Sequence, residues 1–484
     1  MTTLRSFLDK ADELLGDRLE RVLCAHHRRR LRGLGWGAVL EPPAGEDRFG
    51  GRAAVRRQNR VEVLVDGEEA LPVIERAIRG ARSHVHIAGW HASADFRLTR
   101  EPGAPTLREL LAETAGRGVD VRVLLWAGPP VPAFKPTRGL ARDEQRKFSA
   151  GTGVRCELDS RERTMHCHHE KVVVVDDVVA FVGGVDFTAL EGDRHDSPDH
   201  PPRAMGWHDL VARLEGPVVA DVAEHFRQRW IEIAGEHLPQ PDVPEPAGDT
   251  AVQLLRTVPD NTYAFARRGE FTILDSYLRA LRSARRLVYL ENQFLWSPEI
   301  VEVLIAKLRN PPDDRFRVVL LLPRKPSNGA DTTRGQLGRL VDADDGNGRL
   351  LATTISAHDG DSSAPVYVHA KLGIVDDEWL TVGSANLNEH SLFNDTEVNI
   401  ATDDRALVRA TRLRLWSEHL GRPVAELDGD PADVVDHVWR PLAEEQAERE
   451  RRGERRTHRL VLLPGVSRRA GRLQGPLRGL LVDG

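Results

Sequence analysis

Two stretches of this chain repeat one pattern with identical spacing. His169-Glu170-Lys171 is followed by four valines, Asp176 and Gly183-Gly184-Val185-Asp186; His369-Ala370-Lys371 is followed by Leu372-Gly373-Ile374-Val375, Asp376 and Gly383-Ser384-Ala385-Asn386. In both copies Lys stands two residues after His, Asp five after Lys, and the first Gly seven after Asp. Alternate strand residues face the same way, so His and Lys at i and i+2 project toward one pocket, while the apolar run behind them anchors the strand. An Asp at the strand end can hydrogen-bond the turn's backbone, and a Gly-Gly or Gly-Ser pair lets a ligand approach closely. A lone His-x-Lys on a strand is usually a solvated face. Two copies, about 200 residues apart, are not explained that way, and the period is far too long for a solenoid. The pattern therefore predicts duplication of a whole domain, with two similar lobes facing each other across a pseudo-twofold axis and one site between them.

The flanking sequence repeats too. Arg79 to Ala88 is similar in pattern to Arg282 to Glu291, and Val121 to Leu125 has its counterpart in Val318 to Leu322. Val61 to Val65 alternates like a strand, Ala70 to Arg82 has helical spacing, and Val85 to Ala88 is a short buried-strand run. Alternating strands and helices predict an α/β fold in which each lobe is a mixed β-sheet flanked by helices. The expected divisions are an N-terminal extension over 1–55 holding a short amphipathic helix and the Arg-rich stretch His26 to Arg32, a first lobe over 56–237, a Pro-rich linker over 238–250, a second lobe over 251–440 and a basic tail over 441–484.

Only seven of the 68 basic residues are lysines, and two of the seven are Lys171 and Lys371. A compact ammonium suits a site where a cation must sit beside an anion without forking around it. The net charge of -6 gives no sign of a polyanion-coating surface. No apolar run approaches a membrane span, no signal peptide is evident, and Cys24, Cys156 and Cys167 are too few and too scattered for a disulfide framework or zinc site. A cytoplasmic location, a monomer and at most peripheral membrane contact are the expectations.

The two segments resemble the paired H-x-K-x4-D motifs of the phospholipase D superfamily, including the downstream G-G/S element. Ile87-Ala-Gly-Trp90, Tyr289-Leu-Glu-Asn-Gln-Phe294 and Val382 to Asn388 are similar to other blocks of that family, and the resemblance runs from about residue 60 to about 430. It implies a two-step displacement at phosphorus in which His169 attacks to give a phosphohistidine and His369 protonates the leaving alcohol. Lys171 and Lys371 would bind the phosphate oxygens, with Ser384 and Asn386 adding hydrogen bonds and Gly184 making room; Asp186, an acid where Asn stands in the other copy, is doubtful as a phosphate ligand. Asp176 and Asp376, part of the motif, are expected as supports near the site. No cofactor or metal is implied, because two lysines and two histidines supply the positive charge. His166, Cys167 and His168 give no zinc spacing; His168 should face away from His169, and Cys167 should pack as a small buried hydrophobe.

Each imidazole needs an acceptor on its other nitrogen. Matching the strands that follow each motif singles out Asp209, before Leu210 to Leu214, and Glu397, before Val398 to Ala401; the expectation is that Asp209 orients His369 and Glu397 orients His169. A phosphatidylcholine-like glycerophospholipid is the substrate the resemblance implies, with Trp90 and Trp207 as candidate headgroup contacts. A cardiolipin synthase-like phosphatidyltransferase and a phospholipase D-family nuclease are the alternatives, the second disfavoured by the acidic charge, so that nucleic acid is not an expected partner. A non-catalytic membrane-binding protein conflicts with retention of all four motif residues. The loops Pro129 to Lys147, Glu191 to Met205 and Pro326 to Gly338 would set substrate choice, and the tail from Arg455, basic around Leu460 to Leu463, offers either a contact with anionic lipid or a strap on the second lobe.

Overall fold

The computed structural model describes residues 2–41, 47–130, 135–162, 166–326, 330–359 and 362–463. In the first half, strands β1 (Val55–Val65), β2 (His84–Gly89), β3 (Asp120–Trp126), β4 (Arg155–Asp159), β5 (Lys171–Val175), β6 (Val179–Gly183), β7 (Gly206–His208) and β8 (Leu210–Glu215) alternate with helices α2 (Asp66–Gly80), α3 (Leu107–Gly116), α4 (Arg138–Ser149) and α5 (Val218–Ala234), after an N-terminal helix α1 (Thr2–Leu34). Seven of the strands form a mixed sheet in the order β4-β3-β2-β5-β6-β8-β1, with β2, β3 and β4 parallel.

The second half repeats the order. Its strands are β9 (Thr250–Val258), β10 (Glu270–Phe271), β11 (Leu287–Glu291), β12 (Arg317–Leu321), β13 (Leu350–Asp359), β14 (Ser362–Val368), β15 (Leu372–Val375), β16 (Trp379–Gly383), β17 (Glu397–Thr402) and β18 (Leu460–Leu462), with helices α6 (Thr272–Ser283), α7 (Pro298–Arg309), α8 (Ala330–Asp344) and α9 (Arg405–Leu420). The sheet runs β13-β12-β11-β15-β16-β17-β9, the same sequence of parallel and antiparallel neighbours. The fold is thus the expected pair of similar α/β lobes. Pairing of β1 with β9 and of β7 with β14 ties the two sheets into one ladder network.

The four valines show why the motif must be apolar throughout. Val172 and Val174 enter a core shared by both halves, to which β15 and β17 also contribute, whereas Val173 and Val175 enter the first half's own core. A strand buried on both faces reads as a continuous apolar run, and its position is thereby fixed on both sides. Among the described residues, no helix is long and apolar enough to cross a membrane.

The N-terminal expectation needs correction. The predicted short N-terminal helix is 33 residues long and runs straight through the Arg-rich stretch, because its partners lie in the second lobe: Arg30 pairs with Asp260 at 2.6 Å, and His27 stacks on Phe393 at 4.0 Å. The stretch expected as a basic tail holds regular structure. A helix spans Arg440–Arg451, and Leu460–Leu462 adds an antiparallel edge strand to β13. Leu460, Val461 and Leu463 are buried, so this apolar run is a strap on the second lobe and does not face lipid; residues 464–484 of the tail lie outside the described residues. Two of the predicted specificity loops are largely helical, as α4 and α8, and their residues 131–134 and 327–329 also lie outside the described residues.

Candidate active site

The two motif histidines face each other between the lobes, their ring centroids 6.5 Å apart. The cross-lobe pairings put them there. Residues leading into the first motif pair with the segment ahead of β17, where His169 N donates to Thr396 O at 3.0 Å; residues leading into the second motif pair with β7, where His369 N donates to His208 O at 2.8 Å. The residue after each acceptor is an acid, so each half delivers a carboxylate to the other half's histidine. Glu397 Oε1 lies 3.0 Å from His169 Nδ1, and Asp209 Oδ2 lies 2.7 Å from His369 Nδ1. Both acids are almost wholly buried.

The local supports differ between copies. Glu397 also accepts from the hydroxyls of Ser384 and Ser391. Ser384 is therefore aimed at the carboxylate and, through its Oγ, takes the Val398 N–H at 3.1 Å; the expected phosphate contact is not where its hydroxyl points. Gly184 stands at the matching position, and a Cβ there would meet Asp209 Oδ1 at 2.0 Å. Asp209 instead takes the Leu210 N–H at 2.9 Å. The room Gly184 makes is for Asp209.

Lys171 and Lys371 are buried and each donates to the carbonyl of its own motif histidine. Beyond that they diverge. Lys171 pairs with Asp186 at 3.2 Å. Lys371 donates to Gln293 Oε1 at 3.2 Å, and Asn386 donates to the same oxygen at 3.2 Å. Asp186 thus pairs with one ammonium, while Gln293 and the Asp209 charge lie beside the other. The pKa of His369 is pushed well down by burial and then by the nearby cations Lys371, Arg194 and Lys171. Burial raises that of Asp209, partly countered by Lys371, and burial raises that of Glu397 well above the usual carboxylate range.

Asp176 and Asp376 are not among these groups. Each ends its strand at the far end from the lysine, roughly 16 Å along at a rise of about 3.3 Å per residue. Asp176 accepts from the Arg82, Ser83 and His84 amides at 2.7–2.9 Å, and Asp376 from those of Arg285, Arg286 and Leu287 at 2.8 Å. The expectation of supports near the site is corrected: they pin the turn that starts β2 and β11, away from the facing histidines.

The two tryptophans are likewise committed to the protein's own cations. Trp207 is covered by the Arg194 guanidinium at 3.4 Å, stacks with Tyr367 at 4.9 Å and lies 4.7 Å from the His369 ring. Trp90 has Lys171 Nζ 5.8 Å from its ring centre and packs with Trp126 and Cys167 in a small buried cluster. Neither offers an open face for a headgroup, and the expectation that they do is set aside. Arg194 was not anticipated. It is fully enclosed beside Asp186 and Asp209, with burial lowering its pKa; its only signal was a position in the loop Glu191 to Met205. His168 turns away from His169, as expected, to contact Thr396 at 3.0 Å and Asp159 at 3.1 Å.

A pair of imidazoles each held at Nδ1 by a carboxylate, with a buried lysine in each half, can take a phosphoryl group between them and move protons on and off its substituents. Comparison with known proteins points the same way. The family model described as phospholipase D matches residues 77–206, and that described as cardiolipin synthase, PLD-like domain, matches residues 277–416. Rice phospholipase D alpha 1 is 26% identical over 71% of this chain and 62% of its own length. Phospholipase D alpha 1 of Cynara cardunculus is 26% identical over 81% of this chain and 69% of its own. The chain thus spans only about three-fifths of the rice protein. The crystal structure of a phosphatidylserine synthase from Haemophilus influenzae shares the fold, with a TM-score of 0.50 at 13% identity, covering 81% of this chain and 93% of that one.

Proposed function

Because this chain belongs to the phospholipase D superfamily, we propose that it cleaves the distal phosphodiester of a phosphatidylcholine-like glycerophospholipid, giving phosphatidic acid and the free alcohol. The observation that carries the reading is the opposed pair His169 and His369, each held at Nδ1 by a buried carboxylate from the other half. With Nδ1 engaged, Nε2 is the reacting nitrogen. His169 Nε2 forms a bond to phosphorus as the phosphorus–alcohol bond breaks, and the proton on His369 goes to the departing alkoxide. His369 then takes a proton from water, whose oxygen displaces His169 and restores both imidazoles.

The electrostatics support this order of events. Before substrate binds, His369 is held neutral by burial and the surrounding cations. A phosphodiester between Lys171 and Lys371 brings the negative charge that offsets those cations, so His369 gains its proton when a leaving group needs it.

The test is incubation with phosphatidylcholine, with and without ethanol, for wild type and His169→Ala. Choline release, and phosphatidylethanol when ethanol is present, from wild type alone supports the proposal; the ethanol arm also separates hydrolysis from headgroup transfer. Wild type that releases neither product but nicks DNA would make the nuclease reading correct. Quenching during turnover and mapping the phosphorylated peptide by mass spectrometry assigns the nucleophile: label at His369 in place of His169 reverses the two roles.

A further inference from the structure

At the edge of this site, three metal-ligating side chains converge from segments more than 220 residues apart. His166 Nδ1 lies 3.0 Å from His390 Nδ1 and 3.4 Å from Asp395 Oδ1. Ligands bound at about 2.0–2.1 Å in tetrahedral geometry stand roughly 3.3 Å from one another, so these separations are those of atoms sharing one ion. We propose that His166, His390 and Asp395 bind a divalent transition ion of the zinc type.

The donor set is two imidazole nitrogens and one carboxylate, which suits zinc and its neighbours and not calcium or magnesium. The carboxylate is oriented from behind: Asp395 Oδ1 accepts the Cys167 N–H at 2.9 Å, the kind of outer contact that aims a ligand. The same carboxylate is fully buried, and its Oδ2 has no hydrogen-bond partner among the described residues, a costly state that a cation relieves. The His166 side chain is 18% exposed, which gives an ion a way in and leaves a coordination position for water. Two other groups of His and acid lie deeper, around His200, His208 and His419. There His208 and His419 are hydrogen-bonded to carboxylates with side chains wholly buried, so these groups offer an ion no entry path.

An ion here would clamp the approach to the first motif onto the turn 390–397. That turn carries Ser391, which donates to Glu397, and Glu397 itself. The site is thus placed to steady the carboxylate that holds His169, with no part in the displacement at phosphorus.

The experiment is equilibrium dialysis of the untagged, chelator-stripped chain against Zn2+, with Co2+ absorption as a report on geometry. One equivalent with a tetrahedral cobalt spectrum is expected for wild type, with at least a hundredfold weaker binding for His166→Phe and His390→Gln. A chelated wild type that takes up no stoichiometric zinc overturns the proposal, as does unchanged binding in a folded His166→Phe. A readout on wild type alone covers variants that fail to fold: zinc should protect His166 from diethylpyrocarbonate, measured by mass spectrometry, and equal modification with and without zinc overturns the assignment.

Discussion

At the scale of single residues, the two half-sites solve one problem with different pairs. Glu397 with Ser384 does for His169 what Asp209 with Gly184 does for His369. The pairs are matched sets, since a side chain at 184 would occupy the space of the Asp209 carboxylate, while the Glu397 carboxylate draws on the Ser384 hydroxyl. Asp209→Asn keeps the shape but removes the acceptor that fixes the His369 tautomer, and kcat should fall by about 10^2–10^4 with KM little changed. Gly184→Ser should lose nearly as much, because its Cβ displaces Asp209. Ser384→Gly, which opens space and removes the hydroxyl that serves Glu397 and the Val398 N–H, should cost about tenfold. Steady-state kinetics on the three variants decide the matter, and equal losses for Gly184→Ser and Ser384→Gly would mean that the two positions are equivalent after all.

At the scale of elements, the motif divides along its strand. Its first end carries the His and Lys that face the opposite half, and its last end, Asp176 or Asp376, carries a turn. Asp376 collects three backbone amides and the Arg48 guanidinium at 3.2 Å, and both it and Asp377 have positive φ, near 56°, a conformation Asp tolerates better than most residues. Asp376→Ala should destabilise the fold by about 1–3 kcal/mol while leaving kcat/KM within about twofold well below the melting temperature; chemical denaturation and kinetics on one preparation check both, and a large kinetic loss in a stable variant would return Asp376 to the site. Spacing alone could not make this distinction, since a motif reports which residues recur together and is silent on which end of a strand meets substrate. The strands, the lobes and the crossed acids were legible because apolar periodicity and equal spacing act over short distances. Arg194 was not, being one arginine among many in a loop without periodicity. The commitment of Trp90 and Trp207 was hidden for a related reason: a ring's open face is decided by whichever cation the tertiary fold brings to it.

At the scale of the molecule, a buried network of histidines and acids spans the junction between the lobes. From the first half come Asp66, Asp196, His200 and His208; from the second come Glu291, Glu418 and His419. His208 bridges Asp66 at 3.0 Å and Glu291 at 2.8 Å, and His200 bridges Asp196 at 3.1 Å and Glu418 at 3.2 Å. Despite desolvation, which lowers it, the pKa of His200 is lifted to about 9 by Asp66, Asp196 and Glu418, and that of His208 is raised well above its ordinary value by Asp66 and Glu291. A group bound more tightly to its proton in the folded state contributes stability that is complete below its unfolded pKa, about 6.5, and lost as pH rises through the folded value. His200 alone represents on the order of 3 kcal/mol between those limits. Other histidines carry the opposite sign. Burial lowers the pKa of His86 and His225, and that of His458 to about 4, so their contribution is complete above about 6.5 and lost as pH falls below it, when the unfolded chain takes up protons that the folded chain refuses. The two sets make stability peak near neutrality and decline on both sides. The urea midpoint should therefore drop between pH 7.5 and 9.5. His200→Gln, which takes no proton, should have a lower midpoint at pH 7 but a shallower alkaline decline. A wild-type midpoint that holds level to pH 9.5 would show that these imidazoles are neutral at the junction, and that the lobes are held together by the strand pairings and shared apolar core without this charge network.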